Sequence, residues 1–317
     1  MAEIDVGDAA MAGVRTIMRQ PFSVLAWGLL MAILVGLLFV SFGGGIASTI
    51  GAMIAAGPSG VTPAEVLSLI GGAFGFLFLL IVGVQLLDVV LRAAAIRAVL
   101  EPDAHNYAYM RVGGQEGWLL AASLVFWLVL LGANIAMNIP LGILAIASTV
   151  GSIAAGSQGS PDFGAAAGFV GLRIIGQLII AAVSIWLWLR LSLGVVATFH
   201  ERQFRLFESW AMTRGHVLRI FLTMLLVVLM LLAIYIVFWV ACLVTLGVTI
   251  AGVAGHDPRA FFNQPPSVWL GALIPLFTVF LIGIVVNVGV GNALIWGAVA
   301  RMWRQLNPDA EAAKAFA

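Results

Sequence analysis

Six apolar runs, each long enough to cross a bilayer, constrain this chain more than any other feature. They lie at about 22–42, 66–91, 117–139, 169–189, 217–254 and 268–290. A hydrocarbon core about 30 Å thick takes about 20 apolar helical residues. Backbone polar groups inside it must be satisfied within the segment. Runs of this kind therefore predict α-helices. Transmembrane strands would alternate in polarity over about 10 residues, a pattern the runs do not show. With 62% hydrophobic and 9% charged residues among 317, no separate soluble domain fits beside them. The expected fold class is an all-α polytopic membrane protein with six transmembrane helices.

A second pattern recurs between the runs. The segment 200–219, HERQFRLFESWAMTRGHVLR, is charged, studded with aromatics, turns at Gly215 and leads into the fifth run. Weaker versions occur at 8–22, DAAMAGVRTIMRQPF, and at 103–118, DAHNYAYMRVGGQEGW. Each leads into a pair of runs. The layout predicts three parallel hairpin repeats of about 8–100, 102–199 and 203–300, each preceded by a short interfacial amphipathic helix. Together they form a single membrane domain, 1–317, with a short C-terminal tail at 301–317. In the first leading segment Ala10, Val14, Ile17 and Met18 share a face and Arg15 and Arg19 flank it, the spacing of a helix in the headgroup layer. Units that begin and end on one side are parallel copies, unlike the inverted repeats of many secondary transporters.

The second run of each pair is too long for a crossing. It stays apolar to Leu100, Phe199 and Ala300; at 1.5 Å per residue, 66–100 would measure about 50 Å. These ends are expected to project past the headgroups and pack against the leading segments. Gly43 to Gly45 are expected to end the first run and Pro140 to break the third. The stretches 141–155 and 245–255 could be interfacial pieces or transmembrane continuations.

Thirteen of the fifteen Lys and Arg residues fall at the N-terminus, in 92–116 and 190–219, or in the tail; only Arg173 and Arg259 lie toward the other side. The positive-inside rule then predicts cytoplasmic N- and C-termini. The first run is too long for a signal-peptide core and acids precede it, so it is expected to remain as the first span. A net charge of +1 supplies no field that would recruit nucleic acid. The single Cys242 permits no disulfide framework. His105, His200, His216 and His256 are scattered without metal-ligand spacing, and neither a GxSxG elbow nor a GxxxxGK[ST] loop occurs. No cofactor, metal or catalytic residue is expected, and the chain reads as non-enzymatic.

Two groups of residues are candidates for function. Asp88, Arg92, Arg190 and Asn287 sit about twenty residues along their spans, at equal depth. They could form an intramembrane binding or gating constellation for a headgroup or solute. The structural alternative is an i,i+4 pair of Asp88 with Arg92 together with snorkelling and interhelical hydrogen bonds. Arg173 with Gln177 could line a polar crevice, the alternative being an arginine that snorkels outward. Asn134 and Asn138 lie near Pro140, where unwound carbonyls could coordinate a cation, the alternative being a plain interhelical hydrogen bond. The second group, Arg202, Arg205, Trp210, Arg214 and Arg219, places cations and an amphipathic ring where headgroups lie. Each cation there gains about 1 kcal/mol from anionic lipid, so membrane lipids are the expected partners, with another membrane protein as a further one.

The pattern FESWAMTRGHVLRIF, set between long apolar runs, resembles the membrane domain associated with bacterial glycerophosphodiester phosphodiesterases and its stand-alone relatives; its specific part is 208–221. The resemblance implies a six-span helical domain in the bacterial cytoplasmic (inner) membrane. It does not carry over the enzyme activity, because the catalytic barrel has no room in this chain. Mitochondrial carriers share the three-hairpin layout, but their Px[DE]xx[KR] motif is absent. The function expected is a lipid-associated or membrane-organising role, with a small-solute transporter or channel along a pseudo-threefold axis as the alternative.

Overall fold

The computed structural model describes residues 3–56, 62–103, 106–111, 113–154, 163–254, 268 and 271–308. The loops expected around 57–61, 155–162 and 255–267, with Arg259, His105, His256 and most of the tail, lie outside the described residues.

Among the described residues all regular structure is helical. The α-helices are α1 Val6–Arg19, α2 Pro21–Ala56, α3 Pro63–Leu100, α4 Gly114–Ala154, α5 Phe163–Glu201, the single turn α6 Ser209–Met212, α7 Val217–Ala254 and α8 Ile274–Leu306. The six long ones each contain a stretch long and apolar enough to span a membrane. Large apolar side chains on them stand open, among them Phe22, Val40, Phe74 and Val237, each more than two-thirds exposed. In water such continuous apolar surface would drive aggregation; on a membrane protein it is the face that meets lipid. The chain is thus a multi-pass helical membrane protein.

Local chemistry sets the helix boundaries. Asp5 caps α1, its carboxylate accepting from the Asp8 N–H at 3.0 Å, and Arg19 complements the C-terminal dipole. Pro21 opens α2 at the first helical position, where its missing N–H costs nothing. Two expected breaks do not occur. The helix runs through Gly43 to Gly45 as far as Ala56, and through Pro140 as far as Ala154. A membrane helix tolerates such residues because no solvent competes for its remaining backbone bonds. Residues 141–154 and 245–254 are accordingly helical continuations of α4 and α7.

The contacts divide the chain into two compact units, one of Met1–Glu116 with Leu222–Ala317 and one of Gly117–Phe221. In the first, α2 lies antiparallel against α8, and both also pack on α3. The α2–α8 crossing is a backbone approach. A Cβ on Gly28 would overlap the Val285 main chain, and one on Gly289 would meet the Val24 carbonyl. Farther along, Phe39 stacks edge-on against Phe76 of α3 at 5.4 Å and lies 5.6 Å from Phe277 of α8. In the second unit, Asn134 donates to Ser184 at 3.1 Å and Gln177 to Asn138 at 3.1 Å, tying α4 to α5.

The leading segments differ from one another more than their sequences suggest. The first is the helix α1, but the face it buries is Ala9, Ala10, Ala12, Gly13 and Thr16, laid on α8; Met18 points out, 78% exposed. Small residues win because they let two backbones approach. The second is no amphipathic helix but one turn, Asn106–Tyr109, in which Tyr107, Ala108 and Tyr109 take positive φ of 54°, 55° and 62°. The third is a 3-10 turn, Leu206–Glu208, followed by α6, and it leaves through Gly215 at φ +87°.

The Asn106–Tyr109 turn packs on both α2 and α3, the Leu206–Met212 stretch on α5, and α1 mainly on α8. On α3, α5 and α8 burial is nearly continuous from Val89 to Ala98, from Leu189 to Phe199 and from Gly289 to Ala300. The apolar overhang is protein core.

Candidate functional site

The functional candidates lie along α3, α5 and α8 and in the segment that follows α5. In the first unit Arg92 pairs with Asp88 one turn earlier, as the i,i+4 spacing predicts. Its guanidinium lies 4.5 Å over the Trp296 ring of α8, so the charge is held by a carboxylate and a π face together. Asn287 does not join them. It is nine residues before Trp296, about 13 Å along the helix, and its Nδ2 donates to the carbonyl of Gly283 at 2.7 Å in its own helix. The asparagine one turn from Trp296 is Asn292, which is buried and bonds the Val288 carbonyl.

Arg190 belongs to the second unit. It donates to Thr213 Oγ1 at 2.9 Å and to the Trp210 carbonyl at 3.3 Å, with the rings of Trp186 and Trp210 at 5.9 and 5.2 Å. These bonds clamp α6 to α5. Arg92 and Arg190 therefore serve first as packing cations, each on tryptophan.

Of the five expected headgroup contacts, Arg202, Trp210 and Arg214 are exposed and Arg205 and Arg219 are partly buried. Arg202 sits at a positive φ of 55° as the chain leaves α5. Arg205 is committed within the protein, bonded to Glu201 at 2.6 Å and Glu208 at 2.9 Å, which neutralises it toward lipid. Phe204, Phe207 and Trp210 face outward while Leu206, Ser209 and Thr213 are fully buried.

Sequence reasoning missed Arg97. It is 2% exposed and paired with Glu116, itself nearly buried, and it donates to the Tyr109 carbonyl at 2.6 Å. Trp27 Nε1 donates to the Ala108 carbonyl at 2.8 Å, and the Tyr109 hydroxyl to the Pro102 carbonyl at 2.9 Å. Left-handed backbone costs an L-residue about 1–2 kcal/mol; these side chains hold the turn in it. An apolar run with an arginine near its end looks like any snorkelling cation, so no local signal marks this one.

Asp8 is the second missed residue. Its carboxylate accepts from Arg15 at 2.6 Å, from Arg301 at 2.6 Å and from Gln305 at 2.9 Å, joining α1 to α8. Burial pushes its pKa up, but the hydrogen bonds and charges of Arg301 and Arg15 together outweigh that and hold it below the ordinary 3.8. A depressed carboxylate contributes stability above its unfolded pKa and loses it as pH falls through the folded one. Asp8→Asn is therefore expected to lower the melting temperature by a constant amount from pH 7 to about 5, the gap to wild type closing below 3.8. A gap independent of pH down to about 3 would contradict this.

Between α1, the end of α3 and α8 lies a pocket of about 260 Å³ whose wall includes Arg15, Arg19, Gln20, Tyr109, Arg301 and Arg304. Among the described residues no cluster of three His, Cys, Asp or Glu side chains could hold a metal ion. The arrangement offers positive charge and hydrogen-bond donors, the chemistry of anion binding.

No known family, characterised protein or solved structure matches the chain.

Proposed function

We propose that this is a non-enzymatic integral membrane protein with a lipid-associated, membrane-organising role, seated in a bacterial cytoplasmic membrane with both termini inside and built from three hairpin repeats. The supporting observation is the outward surface of the third leading segment. Phe204, Phe207 and Trp210 present open rings beside exposed Arg202 and Arg214, at the point where the flanking helices stop being apolar. Rings that bridge apolar and wet layers, next to cations, suit anionic headgroups. A further membrane protein could be the partner that such a surface organises.

Native mass spectrometry of protein purified with phosphatidylglycerol tests the proposal. Arg202→Gln and Arg214→Gln are each expected to lower retained lipid about fivefold. Unchanged retention in the double variant would remove the lipid reading. One observation favours the alternative, a small-solute transporter or channel: Asn287 Oδ1 is buried in an apolar helix without a hydrogen-bond partner, and water or a solute would satisfy such an atom. Solute uptake into proteoliposomes, lost in Asn287→Leu, would decide for that alternative.

A further inference from the structure

Four guanidiniums converge on the pocket at the end of α1, α3 and α8. Arg15 and Arg19 come from α1, Arg301 and Arg304 from α8, and among the described residues no carboxylate lines it. Asp8, beside it, is one negative charge divided between Arg15 and Arg301. Arg304 also donates to the Val99 carbonyl at 3.5 Å, and Arg19 is exposed. Glu101 and Asp103 flank Pro102, which lines the pocket, and the Asp103 charge reaches Tyr109 in the wall. The four guanidiniums still outnumber the carboxylates nearby, with Gln20 as a further donor.

We propose that this pocket binds a phosphate monoester, presented either by a membrane lipid headgroup or by a small soluble molecule. Guanidinium forks match phosphate oxygens in pairs, and several forks on one anion suit a dianion better than a single carboxylate. The volume lies just below the range of about 300–1,000 Å³ typical of larger ligands, which fits a phosphate with a small appendage. Pro21 opens the first span directly after Gln20, and Leu100 and Leu306 end theirs, so the pocket lies at the ends of the long helices, outside their apolar middles. None of Arg202, Trp210 or Arg214 takes part, so this site and the lipid reading above are tested on different residues.

The test uses full-length protein in phosphatidylcholine nanodiscs. One arm titrates glycerol 3-phosphate and follows tryptophan fluorescence; the other adds phosphatidic acid to the nanodisc and counts bound lipid by native mass spectrometry. Saturable binding is expected in at least one arm. Arg19→Gln should weaken it about tenfold and Arg19→Gln with Arg304→Gln about a hundredfold, while Arg19→Lys, which keeps the charge and loses the fork, should recover only part of it. Binding in the soluble arm assigns a free phosphoester; binding in the lipid arm alone assigns a headgroup. Arg19 is exposed, so Arg19→Gln should fold, and an unchanged melting temperature checks that it does. Absence of saturable binding in both arms, or an affinity within twofold of wild type in a folded Arg19→Gln, overturns the proposal. Loss here with anionic lipid still retained through Arg202 and Arg214 would end this site and spare the other reading.

Discussion

Gly28→Leu is expected to leave little folded protein in detergent. At this position α2 and α8 touch through backbone, and a Cβ would overlap the main chain of Val285. A crowded side chain can rotate away, but a carbonyl and a Cα inside a helix cannot. The two helices must part, and the crossing at Val24 and Gly289 goes with them, because the same line of contact carries both. Overpacking a core costs about 1–3 kcal/mol where side chains can give; here the cost should exceed about 3 kcal/mol. Gly71→Leu and Gly132→Leu are the controls. Nothing lies within 4 Å of a Cβ at either site, and both are exposed. They should melt within about 0.5 kcal/mol of wild type. Thermal unfolding and size-exclusion profiles read the difference, and a Gly28→Leu protein as stable as Gly71→Leu would refute the backbone crossing.

Arg97→Met should be nearly as damaging, for a different reason. The guanidinium is almost wholly buried and answers the Glu116 carboxylate and the Tyr109 carbonyl at once. Its removal leaves a buried carboxylate without its cation, a loss of about 3–5 kcal/mol. It also releases one support of the left-handed turn at Tyr107 to Tyr109. Replacing both charges is another matter, since apolar groups of similar shape can stand in for a buried pair at little cost. Arg97→Met with Glu116→Leu should therefore be more stable than Arg97→Met alone. Independent, additive losses in the two single variants would show that the pair is not coupled.

The long helices were legible because membrane spans obey one-dimensional rules. Length and apolarity identify them without reference to a neighbour, and Pro21 marks the start of the first within a residue. The breaks at 43–45 and Pro140 were misplaced for a related reason. Glycine and proline punctuate soluble helices because water takes the freed backbone groups, and lipid offers no such competitor. The i,i+4 pair of Asp88 and Arg92 was readable too, being local to one helix. Arg190 was recognisable as a polar residue near a span end. That it clamps α6 through Thr213 and Trp210 was not, because those partners lie twenty or more positions away.

The leading segments show the same division. Their polar, aromatic character is plain in the sequence, and Phe204, Phe207 and Trp210 stand exposed in the third. In α1 the larger apolar residues pointed to the wrong face, because the decisive quantity was how closely Gly13 could approach α8 and not how hydrophobic Ile17 or Met18 is. Asp8, Arg301 and Gln305 meet across nearly the whole length of the chain, and no spacing rule links them.

Apolar run length, acting on each segment separately, determined that the chain is helical, crosses a membrane several times and carries its charge at the span ends. Only tertiary packing decided which helices touch, which arginines are spent on internal partners, and where four of them face one pocket. The reason is range: burial of a span in lipid is a property of its own residues, whereas a close backbone approach or a shared counter-ion exists only once two distant segments meet.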